Sequence, residues 1–542
     1  MKYFKLIYTV FAMILLSEIS FAQEWQWVSP GGGSNGDAAT LICHDAIGNY
    51  YVGGEYYSDP AIFGNDTLHL NGNNEMYLAK YNSSGQIQWT ISFGSNSVIP
   101  NEQDNISYLI FRPHQNSLLI GGFHEGTMTI GNYTLYGSGG FIAELSLNGV
   151  FNWAKSLSYS CLCVAENGDI FTQHSFSQDW NIDTMYVSAG LWFARFDPEG
   201  NLQWAKRKCD PQVSGISGME FAFFQMSERN GKITGYGNAR VDTLQIDTVT
   251  VYTYSYYQSI LACFDTSGTA LWLKPIGSTP EIPAFDFVQD SKGNNFITST
   301  FHHAAIFGSD TIFPPSALSY DAFIAKYDSI GRFLWVKQMN SDSENSPLKL
   351  AIDNFGGLIQ VGFFKGSIVL NSDTLFSNGF VTYYVVRFDS TGDISYFNIN
   401  DEIGINNLEI DSSEYITACG VFQNTADFNG TSLTSNGMVD AFIARSSPLT
   451  AIEENTRQQN NQLVIYANPN QGRCKLEIPD EFVHERSLLL QIFDNTGRMI
   501  QQTQVIMSED KVRVNLEAEA KGIYNVTLSN KKKSYQGKIV FE

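Results

Sequence analysis

The side chains able to do chemistry in this chain of 542 residues are few and scattered. Asp37 and Asp104 each stand just before a run of alternating apolar residues, where a carboxylate would sit at the entrance to a strand. Carboxylates and loop carbonyls gathered at such ends could bind Ca2+ or a sugar, because hard cations take several oxygen ligands. No Asp-x-Asp-x-Asp run accompanies them, so turn capping is the favoured role. Ca2+ is the one cofactor left open, and no metal site is assigned. His124 and the pair His302-His303 follow apolar strands. Neighbouring residues of a strand point to opposite faces, so the pair could not chelate one ion together. A Gly-x-Ser-x-Gly nucleophile elbow and a His-Glu-x-x-His zinc helix are both missing from the sequence, and no catalytic residue is assigned. Asp37, Asp104, His124 and His302 therefore stand as candidates for a ligand-facing side.

The thiols carry less. Seven cysteines, Cys43, Cys161, Cys163, Cys209, Cys263, Cys419 and Cys474, are odd in number and widely spaced, which is no disulfide framework. Cys161 and Cys163 could share a strand face and hold a metal. Cys163, however, precedes Gly168 as Cys43 precedes Gly48, in matching apolar runs, and buried small hydrophobe is the better reading.

The elements that must position these residues are copies of one unit. Phe323 to Trp335 reads as two strands joined by the turn Asp328-Ser-Ile-Gly331, the Asp bonding the backbone ahead and the Gly closing a bulged hairpin. Related turns lead to Trp89, Trp153, Trp204 and Trp272, and to Tyr396 in a sixth copy, at a period of roughly 60 residues that signals a repeat architecture. An upstream half, Gly48-Asn-Tyr-Tyr-Val-Gly-Gly54, recurs as Ser117 to Gly122, Gly293 to Thr298 and Gly357 to Gly362. Each unit thus predicts four antiparallel strands in meander order, the blade of a β-propeller. The last unit stops at Pro448 without its Trp, and Trp25-Gln-Trp27-Val28 supplies the missing strand. The expectation is an all-β chain: a seven-bladed β-propeller closed by the N-terminal strand, leaving no unpaired edge, then a small C-terminal β-sandwich. Short turns would lie on one side of the propeller and the long, varied connections on the other, where a ligand is expected. Asp-Thr flanked by apolar residues, at Thr67, Thr311 and Thr374, predicts an extra hairpin turn, with O-glycosylation as the alternative.

The ends of the chain have their own signatures. Lys2, Lys5, an apolar core from Leu6 to Leu16 and Ser20-Phe21-Ala22 make residues 1–22 a signal peptide. Nothing later is long enough to span a bilayer as a helix. Residues 23–448 are the propeller, 449–461 a polar linker and 462–542 a run of short strands. With 33 Lys and Arg against 55 Asp and Glu, a formal charge of −22, nucleic acid and anionic membrane are poor partners.

Asp321 to Trp335 and its copies resemble a bacterial β-propeller repeat (the SBBP-like repeat) with the pattern Asp-Ala-Phe-x-Ala-Lys-Tyr-Asp-x-x-Gly-x-x-x-Trp. That resemblance implies fold and hardly any chemistry. The stretch from residue 462 resembles the C-terminal sorting domain of the type IX secretion system of Bacteroidota. It does so through Asn468-Pro469-Asn470, Asp494 to Gly497-Arg498, Gly522-Ile-Tyr524 and Lys538-Ile-Val540, with Ala467 where that family usually has Pro. The implied partner is the type IX machinery, and the implied destination is secretion or anchoring at the outer cell surface. Quinone-dehydrogenase and sialidase turn signatures do not fit the spacing. The reading is an exported binding or adhesion module whose partner is a glycan or surface protein. The alternatives are a polysaccharide-active hydrolase or lyase, or a surface spacer.

Overall fold

In the computed structural model the chain divides into two compact units, Met1–Pro448 and Leu449–Glu542. The structure describes residues 25–448 and 463–541, except 99–102, 177, 210–220, 240–242, 253–257, 278–281, 317–318, 372, 379–380, 464, 467–469, 479–481, 483–486, 495–497, 507–510 and 531–533. The expected signal peptide, 1–22, and linker, 449–461, lie outside the described residues.

The described part of the first unit is built of strands and turns. Asp321–Tyr327 and Phe333–Ser341 pair antiparallel across their turn, where Asp328 Oδ1 accepts the N–H groups of Ile330 (3.0 Å) and Arg332 (2.8 Å). Ala284–Gln289 and Asn295–Phe301 precede them, and the four strands neighbour one another in chain order. Among the described residues there are seven such propeller-like meanders, here called sheets 1 to 7 in the order of their first strands. Sheet 1 begins at Asp37–His44 and sheet 7 at Ile403–Ile410. Sheet 7 takes Trp25–Gly33 as its fourth strand, with Val28 opposite Ala444 and Ser29 opposite Ile443 of Asp440–Pro448.

Neighbouring sheets share cores. Phe296 and Ile324 of sheet 5 pack with Leu350 and Val386 of sheet 6, and Ala39 and Val52 of sheet 1 pack with Cys419 and Ile443 of sheet 7. Indoles stitch the same joints: each fourth-strand Trp reaches the third-to-fourth turn of the following sheet. A Cβ built on Gly200, Gly268 or Gly331 would stand 2.9, 2.6 or 3.0 Å from the ring of Trp153, Trp204 or Trp272. Trp27 and Trp89 also donate from Nε1 to the carbonyls of Ser83 and Leu147, both at 3.2 Å.

The glycines of the upstream half have a separate cause. Six of the first strands carry a bulge, the register slipping for example between Ala39 and Leu41 and between Ile106 and Tyr108. The carbonyl ahead of the bulge folds over the second strand, and a Cβ on Gly54 would lie 1.9 Å from the oxygen of Ala38. Close backbone approach, not a turn, requires glycine there.

The Asp-Thr segments do form hairpins between the second and third strands. Ala61–Phe63 pairs with Asp66–Leu68, so the turn is Gly64-Asn65 and the Asp-Thr pair opens the return strand. The hairpins holding Thr67 and Thr374, and the matching hairpin Met128–Ile130 with Tyr133–Leu135 of sheet 2, also pair with the fourth strand of the preceding sheet.

In the second unit two sheets enclose one core. Leu490, Ile492 and Val526 from the sheet containing Ser487–Phe493 and Gly522–Ser529 meet Leu476, Val512 and Val514 from the other.

Candidate functional site

Asp37 and Asp104 sit inside the fold as loop ties. Asp37 is buried, and its carboxylate accepts from Gly33 N (2.7 Å), Tyr57 N (2.9 Å), Ser58 N (3.2 Å) and Ser58 Oγ (2.6 Å). Asp104 takes the same station in sheet 2, accepting from Ser95 N and Oγ and from Glu125 N. Each carboxylate joins the end of one strand to the exit of another, with its oxygens already occupied. The His302 ring packs at a tilt against His303 and Tyr320, with centroids 4.2 and 5.0 Å away. Among the described residues no three His, Cys, Asp or Glu side chains gather in a way that could hold a metal ion. The seven cysteines form no disulfide, and Cys161 and Cys163 are buried in one apolar cluster, where desolvation raises their thiol pKa values.

His124, the remaining candidate, opens a cleft. The cleft lies between sheets 2 and 3 on the side of the long connections, about 370 Å3 in volume, and is walled by Tyr136, Ser158, Asp179, Trp180, Asn181 and Tyr186 besides His124. A second hollow of about 340 Å3, lined by Tyr159, Phe176 and Gln178, shares Ser158 and Trp180 with it. Both volumes fall in the range of roughly 300–1,000 Å3 usual for small-molecule sites. Three aromatic residues of the lining are exposed: Trp180 by 46%, Tyr186 by 70% and Tyr136 by 80%.

The hairpin Trp180–Ile182 with Met185–Val187 positions two of the rings. Ile182 and Val187 are buried and anchor it to the core of sheets 2 and 3. Asn181 and Tyr186 pair directly across it and share its outward face, by the two-residue alternation of a strand. Asp179 steadies the assembly, accepting from Tyr186 Oη (3.1 Å) and from Ala189 N (2.9 Å). Phe176 stacks against Trp180 with centroids 6.4 Å apart. Below Phe176 lies His174, whose Nδ1 is 2.6 Å from the Ser158 carbonyl and whose Nε2 is 2.7 Å from Thr172 Oγ1. A ring donating to that carbonyl from Nδ1 accepts the hydroxyl at Nε2 and is neutral, in keeping with a pKa that desolvation pushes down to about 4. His124 shares that environment: desolvation lowers its pKa, Nδ1 lies 3.2 Å from the Gly126 carbonyl, and Nε2 has no protein partner.

Sequence reasoning passed over Trp180, Tyr186 and Tyr136, although the register makes two of them outliers. The hairpin position of Trp180 is held in the other sheets by Ala61, Met128, Leu244, Ala305, Ile368 and Ala426, all buried. The position of Tyr186 is held by Thr67, Thr134, Thr250, Thr311, Thr374 and Ser432, all exposed hydroxyl residues. Sheet 3 alone puts large rings in both columns.

In the second unit Asn470 is buried, donating from Nδ2 to the Val540 carbonyl (3.0 Å) and accepting from Gly472 N (2.8 Å). Tyr524 is buried with its hydroxyl on the Ala520 carbonyl, and Gly522 opens its strand. Asn468, Pro469 and Gly497 lie outside the described residues. Residues 464–542 match the family described as the secretion system C-terminal sorting domain. A type IX sorting domain is therefore present, and it implies secretion to the cell surface.

No curated protein matches the chain. Among solved structures it is similar to a puromycin hydrolase mutant, at 10% identity and TM-score 0.35, covering 74% of this chain and 52% of the other. The chain thus spans about half the length of that hydrolase. A DUF4221 family member from Bacteroides vulgatus is 9% identical with TM-score 0.28 over 77% of this chain and 98% of its own. The periplasmic gluconolactonase of Pseudomonas aeruginosa is 10% identical with TM-score 0.28 over 61% and 99%. At these scores the three carry nothing about ligand or reaction.

Proposed function

We propose that the first unit is a closed seven-bladed β-propeller of SBBP-like repeats, and that it acts as a binding module delivered to the outer cell surface by the type IX route. The observation that carries the binding role is the cleft between sheets 2 and 3, with three exposed rings beside polar side chains. Closure is supported by the pairing of Trp25–Gly33 with Asp440–Pro448 and by the core that sheets 1 and 7 share. The buried and half-buried acids of the strands support binding over hydrolysis. Glu55, Glu75 and Asp321, raised by desolvation to about 7, about 7 and about 6, are each tied to a backbone N–H inside the fold.

The test is a thermal-shift screen of the full chain against glycans, divalent cations and surface-protein extracts, since any ligand of the native state raises its melting temperature. A ligand that raises it supports the module. No shift with any of them would leave the spacer reading in its place. Removal of residues 464–542 should also retain the protein inside the outer membrane, read by fractionation.

A further inference from the structure

We infer that the cleft holds a neutral oligosaccharide, with one sugar ring lying on the indole of Trp180 and its neighbours against Tyr186 and Tyr136. The inference rests on the binding-module reading and names its site and ligand class. A pyranose has an apolar face of C–H groups and a rim of hydroxyls, and it needs a ring to lie on and polar groups around that ring. Trp and Tyr suit this because each offers a broad apolar face and a polar tip. The indole at position 180 is held ready, backed by Phe176 and fixed at its base by the buried Ile182 and Val187. Asn181 and Asp183 at the hairpin tip and Ser158 on the connecting segment line the same space and supply donors and acceptors. Among the described residues neither hollow is lined by Lys or Arg, and the chain carries a formal charge of −22. An acidic sugar would meet like charge there without a partner, so the ligand is uncharged. The strongest argument is positional. A residue that is apolar and buried in six sheets is a half-exposed Trp in the seventh, and on the return strand, opposite Asn181, the column of hydroxyl residues holds a Tyr. Two exposed rings in columns built for other residues serve no core.

The test uses the full-length protein with cellohexaose, laminarihexaose and mannohexaose, and with a galacturonate hexamer as the anionic control. Binding is read by calorimetry and by tryptophan fluorescence. The expected result is binding of at least one neutral hexamer, weakened tenfold or more by Trp180→Ala and by Tyr186→Ala, with Trp180→Phe partly retained. The half-exposed indole makes Trp180→Ala fold normally, which its melting temperature checks. Neutral binding that ignores Trp180→Ala would overturn this site while leaving the binding module standing. Preference for the galacturonate hexamer, or no binding of any neutral hexamer, would overturn the ligand class.

Discussion

The ring of Trp335 lies against Gly392, so that a Cβ built on that glycine would stand 2.9 Å from the indole. Trp335 ends the hairpin of one sheet and Gly392, at φ +85°, closes the turn of the next. The glycine therefore has two reasons to be one: left-handed backbone and no room. Gly392→Ala should destabilise the first unit by about 1–3 kcal/mol and Trp335→Ala by about 2–4 kcal/mol. Because they share one contact, the double variant should lose clearly less than the sum, by urea unfolding.

The neighbouring glycines of sheet 1 should differ sharply. A Cβ on Gly54 would meet the Ala38 carbonyl oxygen at 1.9 Å, whereas one on Gly53 would meet only side-chain methyls of Ile106 and Leu78 at 3.2 and 3.3 Å. Gly54→Ala has to move backbone and should cost about 2–4 kcal/mol, with Gly53→Ala below about 1 kcal/mol. Equal losses in denaturant titrations would remove the bulge as the reason for the second glycine.

Glu75 predicts a stability that falls as pH rises. Its carboxyl is buried, one oxygen accepts from Asn71 N at 3.0 Å and the other has no partner. Desolvation raises its pKa from 4.5 to about 7. Between those values the folded chain keeps a proton that the unfolded chain has released. The contribution is complete below pH 4.5 and gone above about pH 7. Glu75→Gln should remove this slope, gaining about 1 kcal/mol relative to wild type at pH 8 and little at pH 5, by melting at both.

His174 acts in the opposite direction. Its pKa, pushed by desolvation from 6.5 down to about 4, makes the unfolded state the one that binds the proton in that interval. Stability from this group is present above pH 6.5 and is lost as pH falls through about 4. Proton-driven loosening should appear first around Phe176 and Ser158, where amide hydrogen exchange near pH 4.5 ought to accelerate ahead of sheet 6.

The hairpin unit was legible because its turn chemistry is local: Asp328 and Gly331 do in the fold what their types predict within four residues of chain. The role of the Trp was only half legible. Its partner is a glycine of the next sheet, so spacing along the chain could not reveal the contact. Tyr396 makes the point, since it occupies the Trp column in the one sheet followed by a turn that is not covalently joined. Bulges such as that at Thr40 were hidden too, because a single inserted residue leaves apolar alternation readable on both sides. Trp180 was missed for a related reason. Its column appears only when the hairpins are set in register, and sheet 3 departs most from the shared pattern. Asp37 and Asp104 were found as recurrent strand-entry acids, and burial, which the sequence does not print, turns them into loop ties.

The pairing of Trp25–Gly33 with Asp440–Pro448 has a consequence in time. The bond from Trp25 N to Asn429 Oδ1 spans 404 residues of chain. Closing a loop of that length carries an entropy penalty of about 5 kcal/mol, and contacts so distant form late. Until Asp440–Pro448 arrives, the N-terminal strand has only the short Ala61–Phe63 strand to pair with, and the first unit cannot complete its fold from front to back as it emerges. Synthesis would thus proceed on a chain whose first and last strands have yet to meet.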